Sequence, residues 1–408
     1  MYDRILVRYG DLTIKGKNKK YFISAVNKLI TDKLVGLNVT YDFNHDRVYI
    51  ILNGLNYQEV VKKLDYVTGL YSYSLVTKCE ANLDDITKSA LKMIDEFSGK
   101  TPTTFKIDTK RANKDFLQTS MEISSSVAGK VLRQAPYLSV DVHHPTILLN
   151  IEVRLEGAYL YIGQIRGIGG FPVPLGGKAL LMLSGGIDSP VSGYLGMKKG
   201  MEIECIHFES TPLTPLESVQ KVIDLTEILA RYAPNNRIQL HLIPFRIIHE
   251  EIIKKVPEAY VITIMRRMMY RISAKLQEKT KCLAILTGDS IGQVASQTLE
   301  SLTCISEVTS SLIIRPLSTY DKIDIMSLAR KIHTQDISDR PFSDCCSVYI
   351  PKKPVIRPQS YIAKNYERNI DFEQLIETAL LQTKTLTVEA FNHFDIIQKG
   401  FTVAEALE

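Results

Sequence analysis

The stretch Ala179-Leu180-Leu181-Met182-Leu183-Ser184-Gly185-Gly186-Ile187-Asp188-Ser189-Pro190 constrains the fold more than any other part of the chain. Its apolar run, bounded upstream by Gly176 and Gly177, is too short for a helix and suits a buried strand. Ser184-Gly185-Gly186 permits a sharp bend and leaves backbone N–H groups uncovered by side chains. Ser189 suits a helix N-cap and Pro190 the first helical position, with a helix running on through Val191, Tyr194 and Leu195 toward Gly200. A strand that ends in a bare turn at a helix N-terminus is a site for anions, phosphate above all.

The loop is not one of the commoner phosphate loops. Neither G-x-x-x-x-G-K-[ST] nor a G-x-G-x-x-G after a strand occurs. Ser-Gly-Gly-x-Asp-Ser instead resembles the pyrophosphate loop (PP-loop) of ATP pyrophosphatases that adenylate a substrate. That resemblance implies that Ser184, Gly185, Gly186 and Ser189 hold the β- and γ-phosphates of ATP as a unit. It also implies that Asp188 helps hold Mg²⁺, which favours carboxylate and phosphate oxygens. The bland alternative is a serine-glycine turn with a capping Ser189.

At 408 residues the chain suits two or three domains, and its 45% apolar content is ordinary for globular protein. No run of about 18 apolar residues occurs, so no membrane span is expected. Met1-Tyr2-Asp3-Arg4-Ile5 leads straight into a strand pattern and does not read as a signal peptide. The six cysteines are scattered, without zinc spacing, which fits a reducing cytoplasm. The net charge of +5 is unevenly distributed: residues 1–170 hold 23 basic and 18 acidic residues, whereas the remainder holds 27 of each. A basic accessory region ahead of a nucleotide-activating domain suggests a polyanionic substrate.

Over 1–60 the pattern is strand, basic loop, helix and two strands, followed by a helix over Tyr57 to Leu64. This matches a small α+β, ferredoxin-like unit. Lys15, Lys17, Lys19 and Lys20 read either as a solvated turn or as phosphate contacts. Over 61–167 come a strand from Tyr71 to Lys78 and a helix ending near Gly99. Phe105 and Ile107 then alternate with Lys106 and Asp108, and Lys110, Arg111 and Lys114 are expected in the loop beyond. A helix over Ser120 to Arg133 and three further strands complete the unit. Phe105-Lys106-Ile107-Asp108 with Lys110-Arg111, and Ile151-Glu152-Val153-Arg154-Leu155, resemble the THUMP domain of RNA-modifying enzymes. The resemblance implies contact with tRNA, with Lys106, Lys110, Arg111 and Lys114 as backbone contacts that position without reading sequence. His143 and His144 read as surface residues.

The glycine- and proline-rich run 163–177 marks the boundary to a domain assigned to 168–408. Strand and helix patterns then alternate, as in an open parallel sheet, Rossmann-like, where ligands bind at strand carboxyl ends. His207, Phe208, Thr287, Gly288 and Asp289 fall at such ends, as does Ser184. Together with the loop, Ile206-His207-Phe208, Ile264-Met265-Arg266-Arg267-Met268-Met269, Thr287-Gly288-Asp289, Gly292 to Leu299 and Asp344-Cys345-Cys346 resemble the ThiI family of tRNA sulfurtransferases, or 4-thiouridine synthetases. The family implies ATP-dependent transfer of sulfur to uridine eight of tRNA, with release of AMP and pyrophosphate, and sulfur supply for the thiazole of thiamine. Carried onto this sequence, it implies an ATP site from Met182, Leu183, His207, Phe208, Arg266, Gly288 and Gln297. Arg267 is expected to face RNA or to join the core of its helix. Gln293 and Gln297, read as one helical turn apart, either serve ATP or pair with each other. Asp289 stands where relatives commonly have Glu.

Cys345 is the expected carrier of sulfur as a persulfide, with Cys346 the second candidate. Arg340, Lys352 and Lys353 are near in sequence and suit a lowered thiol pKa. Cys79, Cys205, Cys282 and Cys304 read mainly as core. Some members of the family carry a C-terminal rhodanese domain with a second cysteine, and none is expected here. A cysteine desulfurase is then the expected direct donor, with a further thiol for the reductive step. A sulfur-carrier protein of thiazole synthesis and a homodimer are also implied. Helices are expected over Ile323 to Lys331, Phe372 to Leu381 and Val388 to Gln398. The competing readings are a PP-loop enzyme that amidates a small molecule, which needs neither the basic front nor Cys345, and a non-enzymatic RNA-binding protein, which leaves the loop unexplained.

Overall fold

Most stretches that alternate or repeat their apolar residues become the element their period dictates. The computed structural model describes all residues except 1, 15, 45, 343, 345–350 and 352. The chain divides into two compact units, Met1–Gly170 and Phe171–Glu408.

The first unit runs β1 (Arg4–Arg8), α1 (Lys19–Lys33), β2 (Thr40–Phe43), β3 (Arg47–Ile51), α2 (Tyr57–Leu64), β4 (Ser72–Cys79), α3 (Leu83–Ser98), β5 (Thr103–Arg111), α4 (Ser120–Gln134), β6 (Leu138–Val140), β7 (Ile147–Arg154), β8 (Gly157–Ile162) and the two-residue β9 (Ile165–Arg166). One continuous sheet joins them in the order β2-β3-β1-β4-β8-β7-β5-β6, with β9 beside β4. The helix ends are written locally. Asn82 Oδ1 accepts from the Asp85 N–H and Gly99 closes α3 at φ 59°. Thr119 and Glu122 form a capping box at the start of α4. Ile86, Ile94, Ile123 and Val127 of α3 and α4 bury Phe105, Leu149, Ile151 and Leu160 of the sheet. The basic loop after β1 is two short 3₁₀ turns, Gly10–Ile14 and Gly16–Asn18, with Lys19 and Lys20 already in α1.

The second unit is a six-stranded sheet. Its strands are β10 (Lys178–Met182), β11 (Glu202–Glu209), β12 (Arg237–Pro244), β13 (Ala284–Leu286), β14 (Leu312–Ile314) and β15 (Lys384–Glu389), ordered β14-β13-β10-β11-β12-β15. All neighbouring pairs are parallel except β12 with β15. The intervening helices include α5 (Asp188–Lys198), α6 (Leu216–Ala230), α7 (Arg246–Lys255), α8 (Val261–Thr280), α9 (Leu299–Ser306) and α10 (Lys322–Lys331). The chain builds β10, β11 and β12 outward, then returns to place β13 on the other side of β10. That reversal opens a crevice above the carboxyl ends of β10 and β13. The expected helix over Val388 to Gln398 is absent. Residues 384–389 form β15 instead, because Leu386 and Val388 lie opposite Leu240 and Ile238 of β12 and are more use there than on a helix face. No described helix is long and apolar enough to cross a membrane.

Candidate active site

The phosphate loop is stapled shut by hydroxyls. The Ser184 N–H donates to Ser189 Oγ at 3.0 Å, and Ser189 Oγ donates to the Ser184 carbonyl at 3.1 Å. This corrects the expected N-cap. The helix α5 begins at Asp188, its N-cap residue Ile187 is already helical, and no side chain caps it. Ser189 is one residue inside the helix and buried, so its hydroxyl holds the loop rather than ending the helix. Pro190 is likewise two residues deeper than expected, still within the first turn, where its missing N–H is harmless. Gly186 is exposed, while Gly185 is buried.

Above the loop lies a cavity of about 570 Å³. Met182, Leu183, Ser184, Asp188, Ser189, His207, Phe208, Arg266, Gly288 and Gln297 line it, so ten of the residues named from sequence converge on one hollow, flanked by Gly185 and Gly186. His207 is buried with its Nδ1 3.0 Å from the Leu183 carbonyl, which can only accept, so Nδ1 donates there. Phe208 packs edge-on against Phe245 at 5.4 Å. At Gly288 a Cβ would come within 2.7 Å of the Ser189 nitrogen and 2.9 Å of the Asp188 carbon. Only glycine lets the turn after β13 lie against the start of α5.

Asp289 organises the opposite wall. Its carboxylate meets Arg266 Nη2 at 2.6 Å and Arg315 Nε at 3.3 Å, and accepts from the Tyr270 and Thr287 hydroxyls. Burial alone would raise its pKa, but Arg266, Arg315 and Thr287 together hold it below the usual carboxylate value. Arg266 also donates to the Ser296 carbonyl at 2.9 Å, so Asp289 and residue 296 orient it. Gln293 and Gln297 are not on one helix. Gln293 lies in a bend and donates to Asp188 Oδ2 at 3.0 Å, while Gln297 ends the 3₁₀ turn Ala295–Gln297 with its Oε1 buried and without a hydrogen-bond partner.

Sequence reasoning missed Lys322 and Lys221. Lys322 Nζ, at the start of α10, lies 2.7 Å from Asp188 Oδ1 across 134 residues of chain. Lys221, on α6, is buried and donates to the carbonyls of Arg340 at 2.9 Å and Phe342 at 3.4 Å. No local signal distinguishes either lysine; only the fold brings them to the loop. Among the described residues no cluster of three or more His, Cys, Asp or Glu is placed to hold a metal.

Cys345 and Cys346 lie outside the described residues. Asp344, immediately before them, accepts from the Gly185 N–H at 2.8 Å through Oδ2. Among the other cysteines, Cys205, Cys282 and Cys304 are buried and Cys79 half-buried. Burial pushes all four thiols up, which suppresses the thiolate that sulfur chemistry requires.

In the first unit β5 is longer than expected and carries Lys110 and Arg111 as strand residues. Lys106 and Lys110 share one face of it, and Lys110 and Lys114 are exposed. Lys106 Nζ donates to the Val142 carbonyl at 3.2 Å. Arg111 turns the other way and donates to the Phe116 carbonyl at 2.8 Å, fixing the loop that bears Lys114. Arg154 and Arg47 clamp Glu152, at 2.9 and 2.8 Å, so Arg154 is committed to the sheet. Arg267 is corrected outright as an RNA contact. It is 1% exposed, with Nε 2.7 Å from Glu367 Oε1 and Nη1 2.6 Å from Glu307 Oε1.

Comparison with known proteins agrees with this geometry along the whole chain. Residues 175–372 match the family model described as thiamine biosynthesis protein (ThiI), residues 80–163 the THUMP domain, and residues 4–74 the ThiI ferredoxin-like domain. The chain is similar to the probable tRNA sulfurtransferase of Acholeplasma laidlawii (strain PG-8A), with 48% identity over 407 residues, covering 100% of this chain and 98% of the relative. It is 43% identical over 391 residues to that of Geobacillus sp. (strain WCH70), covering 95% of this chain and 96% of the relative. Among solved structures, a 4-thiouridine synthetase–RNA complex with bound ATP superposes with a TM-score of 0.87 at 35% identity, covering 95% of this chain and 100% of that one. PH1313 from Pyrococcus horikoshii Ot3 shares the fold, with a TM-score of 0.62 at 22% identity over 81% of this chain and 99% of that one. A stapled phosphate loop, a cavity at the sheet's reversal and a THUMP-containing front, matched end to end by such relatives, establish that the chain belongs to the ThiI family of tRNA sulfurtransferases.

Proposed function

We propose that the chain uses ATP to exchange O4 of uridine eight in tRNA for sulfur, giving 4-thiouridine. The carrying observation is the Gly185–Asp344 hydrogen bond, which brings the residue before Cys345 onto the loop that would grip pyrophosphate. ATP would lie in the 570 Å³ cavity with its adenine toward Phe208 and the Gln297 carboxamide and its phosphates toward Ser184–Ser189. Preorganised N–H donors at the loop stabilise the charge that develops as the α–β bond breaks.

In the first half-reaction the uracil O4 attacks the α-phosphorus, and pyrophosphate departs. AMP is then a good leaving group on C4. In the second half-reaction a persulfide on Cys345 attacks C4, and AMP leaves. A further thiol reduces the S–S bond, forming a disulfide with Cys345 and leaving sulfur on the base; in the other route the same thiol reduces the persulfide first, forming that disulfide and releasing sulfide, which attacks C4 as AMP leaves. A cysteine desulfurase would load Cys345, and a sulfur-carrier protein would draw on the same persulfide for thiamine thiazole. Lys106, Lys110 and Lys114 would hold the tRNA backbone, with Arg111 shaping their loop, and a second copy of the chain would complete a homodimer.

Asp188 fits Mg²⁺ in the way nucleotide sites usually do, with one carboxylate and the remaining ligands from phosphate and water. Bound there, the ion would neutralise charge on the pyrophosphate. Lys322, now against Asp188, would turn to the phosphates once they arrive. Cys345→Ala is expected to abolish 4-thiouridine in cellular tRNA, read by nucleoside analysis, while Cys79→Ala leaves it. Normal 4-thiouridine in the Cys345→Ala strain would remove Cys345 from the mechanism.

A further inference from the structure

We propose that Lys221 is the fixed positive charge of the phosphate loop, set beside Gly185 to hold the β- and γ-phosphates of ATP and then the departing pyrophosphate. This role rests on the reading of Ser184 to Ser189 as the grip on pyrophosphate. Lys221 is 5% exposed, on a helix, α6, that is buried along almost its whole length, so its stem does not carry the ammonium out to water. A Cβ at Gly185 would stand 3.0 Å from Lys221 Cδ and 3.2 Å from Lys221 Cε. The end of the side chain therefore lies against the loop backbone, with the ammonium one bond beyond. The missing Cβ of residue 185 makes room for that approach. Nζ donates to the carbonyls of Arg340 at 2.9 Å and Phe342 at 3.4 Å. Among the described residues these are its hydrogen-bond partners, both neutral, and they take two of its three donors.

A buried ammonium is costly unless anions compensate it. Burial pushes the Lys221 pKa down, and the carboxylates of Asp344 and Asp339 offset that only in part. A neutral donor would serve the two carbonyls without this cost, so the fold alone gives no reason for a charge at residue 221. The loop supplies the reason. Its backbone N–H groups offer only partial charge to a phosphate. Lys322 is already paired with Asp188 and is partly exposed. Lys221 is a whole charge, held still by two carbonyls and sheltered from water, where its attraction for phosphate is screened least. Negative charge grows on the pyrophosphate as the α–β bond breaks, so a cation fixed there favours the transition state over bound ATP.

The test measures binding of ATP and of AMP, each with magnesium chloride, to the full chain and to its Lys221→Gln and Lys221→Arg variants by calorimetry. Lys221→Gln keeps a donor for the carbonyls and removes the charge; Lys221→Arg keeps both. The readout is the ratio of ATP to AMP affinity, which a loss of packing or of folded protein lowers for neither nucleotide alone. AMP lacks the β- and γ-phosphates, so its affinity is expected to change little. Lys221→Gln is expected to bind ATP about ten- to a hundredfold more weakly and to lose that factor from the ratio. Lys221→Arg is expected to keep a ratio closer to that of the native chain. Should Lys221→Gln not fold, Lys221→Met gives the same comparison with the charge removed. A native ratio in the neutral variant, an equal loss for ATP and AMP, or a ratio in Lys221→Arg as low as in the neutral variant would overturn the role of Lys221 and leave the loop reading standing. A native chain that binds ATP no more tightly than AMP would overturn the loop reading and this role with it.

Discussion

Arg267 and Arg266 are adjacent in sequence and opposite in use. Arg266 reaches the cavity wall, where Asp289 aims it. Arg267 points into the core, where Glu367 and Glu307 neutralise it and the carbonyl of Cys304 on α9 accepts a further bond. Replacing Arg267 with Met would leave a buried carboxylate with Arg271 as its remaining guanidinium partner. Breaking such a pair costs about 3 kcal/mol. Thermal melts of Arg267→Met are therefore expected to show clear destabilisation, with tRNA affinity of the folded fraction unchanged. Weaker tRNA binding at unaltered stability would return Arg267 to the RNA surface. A single sequence cannot separate the two arginines, because one helical step of 100° decides everything and both neighbours are apolar. His207, Phe208 and Gly288 were legible because strand ends in an open sheet converge by topology alone.

Elements with local signals were legible, and elements made by distant partners were not. Asn82, Thr119 and Gly99 mark their helix ends within a few residues, and the structure uses all three. β15 carries no such mark; its register on β12 supplies the reason for its extension. The helix α1 hides a second feature. Its last residue, Lys33, is buried, and burial, aided by Lys63, lowers its pKa to about 7. An unfolded lysine titrates near about 10.4. Between these values the unfolded chain binds a proton that the folded chain lacks, so this residue makes stability rise with pH from about 7 to about 10. Below about 7 both states are protonated and the burial penalty is constant. Urea melts at pH 7 and pH 9.5 are expected to show a larger gain for the native chain than for Lys33→Met. Equal gains would contradict the burial of a charged-state penalty at Lys33.

At the scale of the molecule, the sequence shows a basic front and a phosphate loop, but not the pairs that assemble the site. Asp188 with Lys322 and Gly185 with Asp344 span 134 and 159 residues, and no periodicity links such positions. The fold supplies them by reversing direction at β10 and bringing Lys322 of α10 and Asp344 back to one loop. The central claim is that this loop grips the outer phosphates while a nucleic-acid oxygen takes the inner one. Its most direct test is to mix the purified chain with ATP, magnesium and unmodified tRNA and to identify the products. AMP and pyrophosphate are expected in amounts that depend on tRNA and fall at least a hundredfold, about 2.7 kcal/mol of transition-state stabilisation, in Asp188→Ala. ADP and phosphate as products, or turnover indifferent to tRNA, would contradict it.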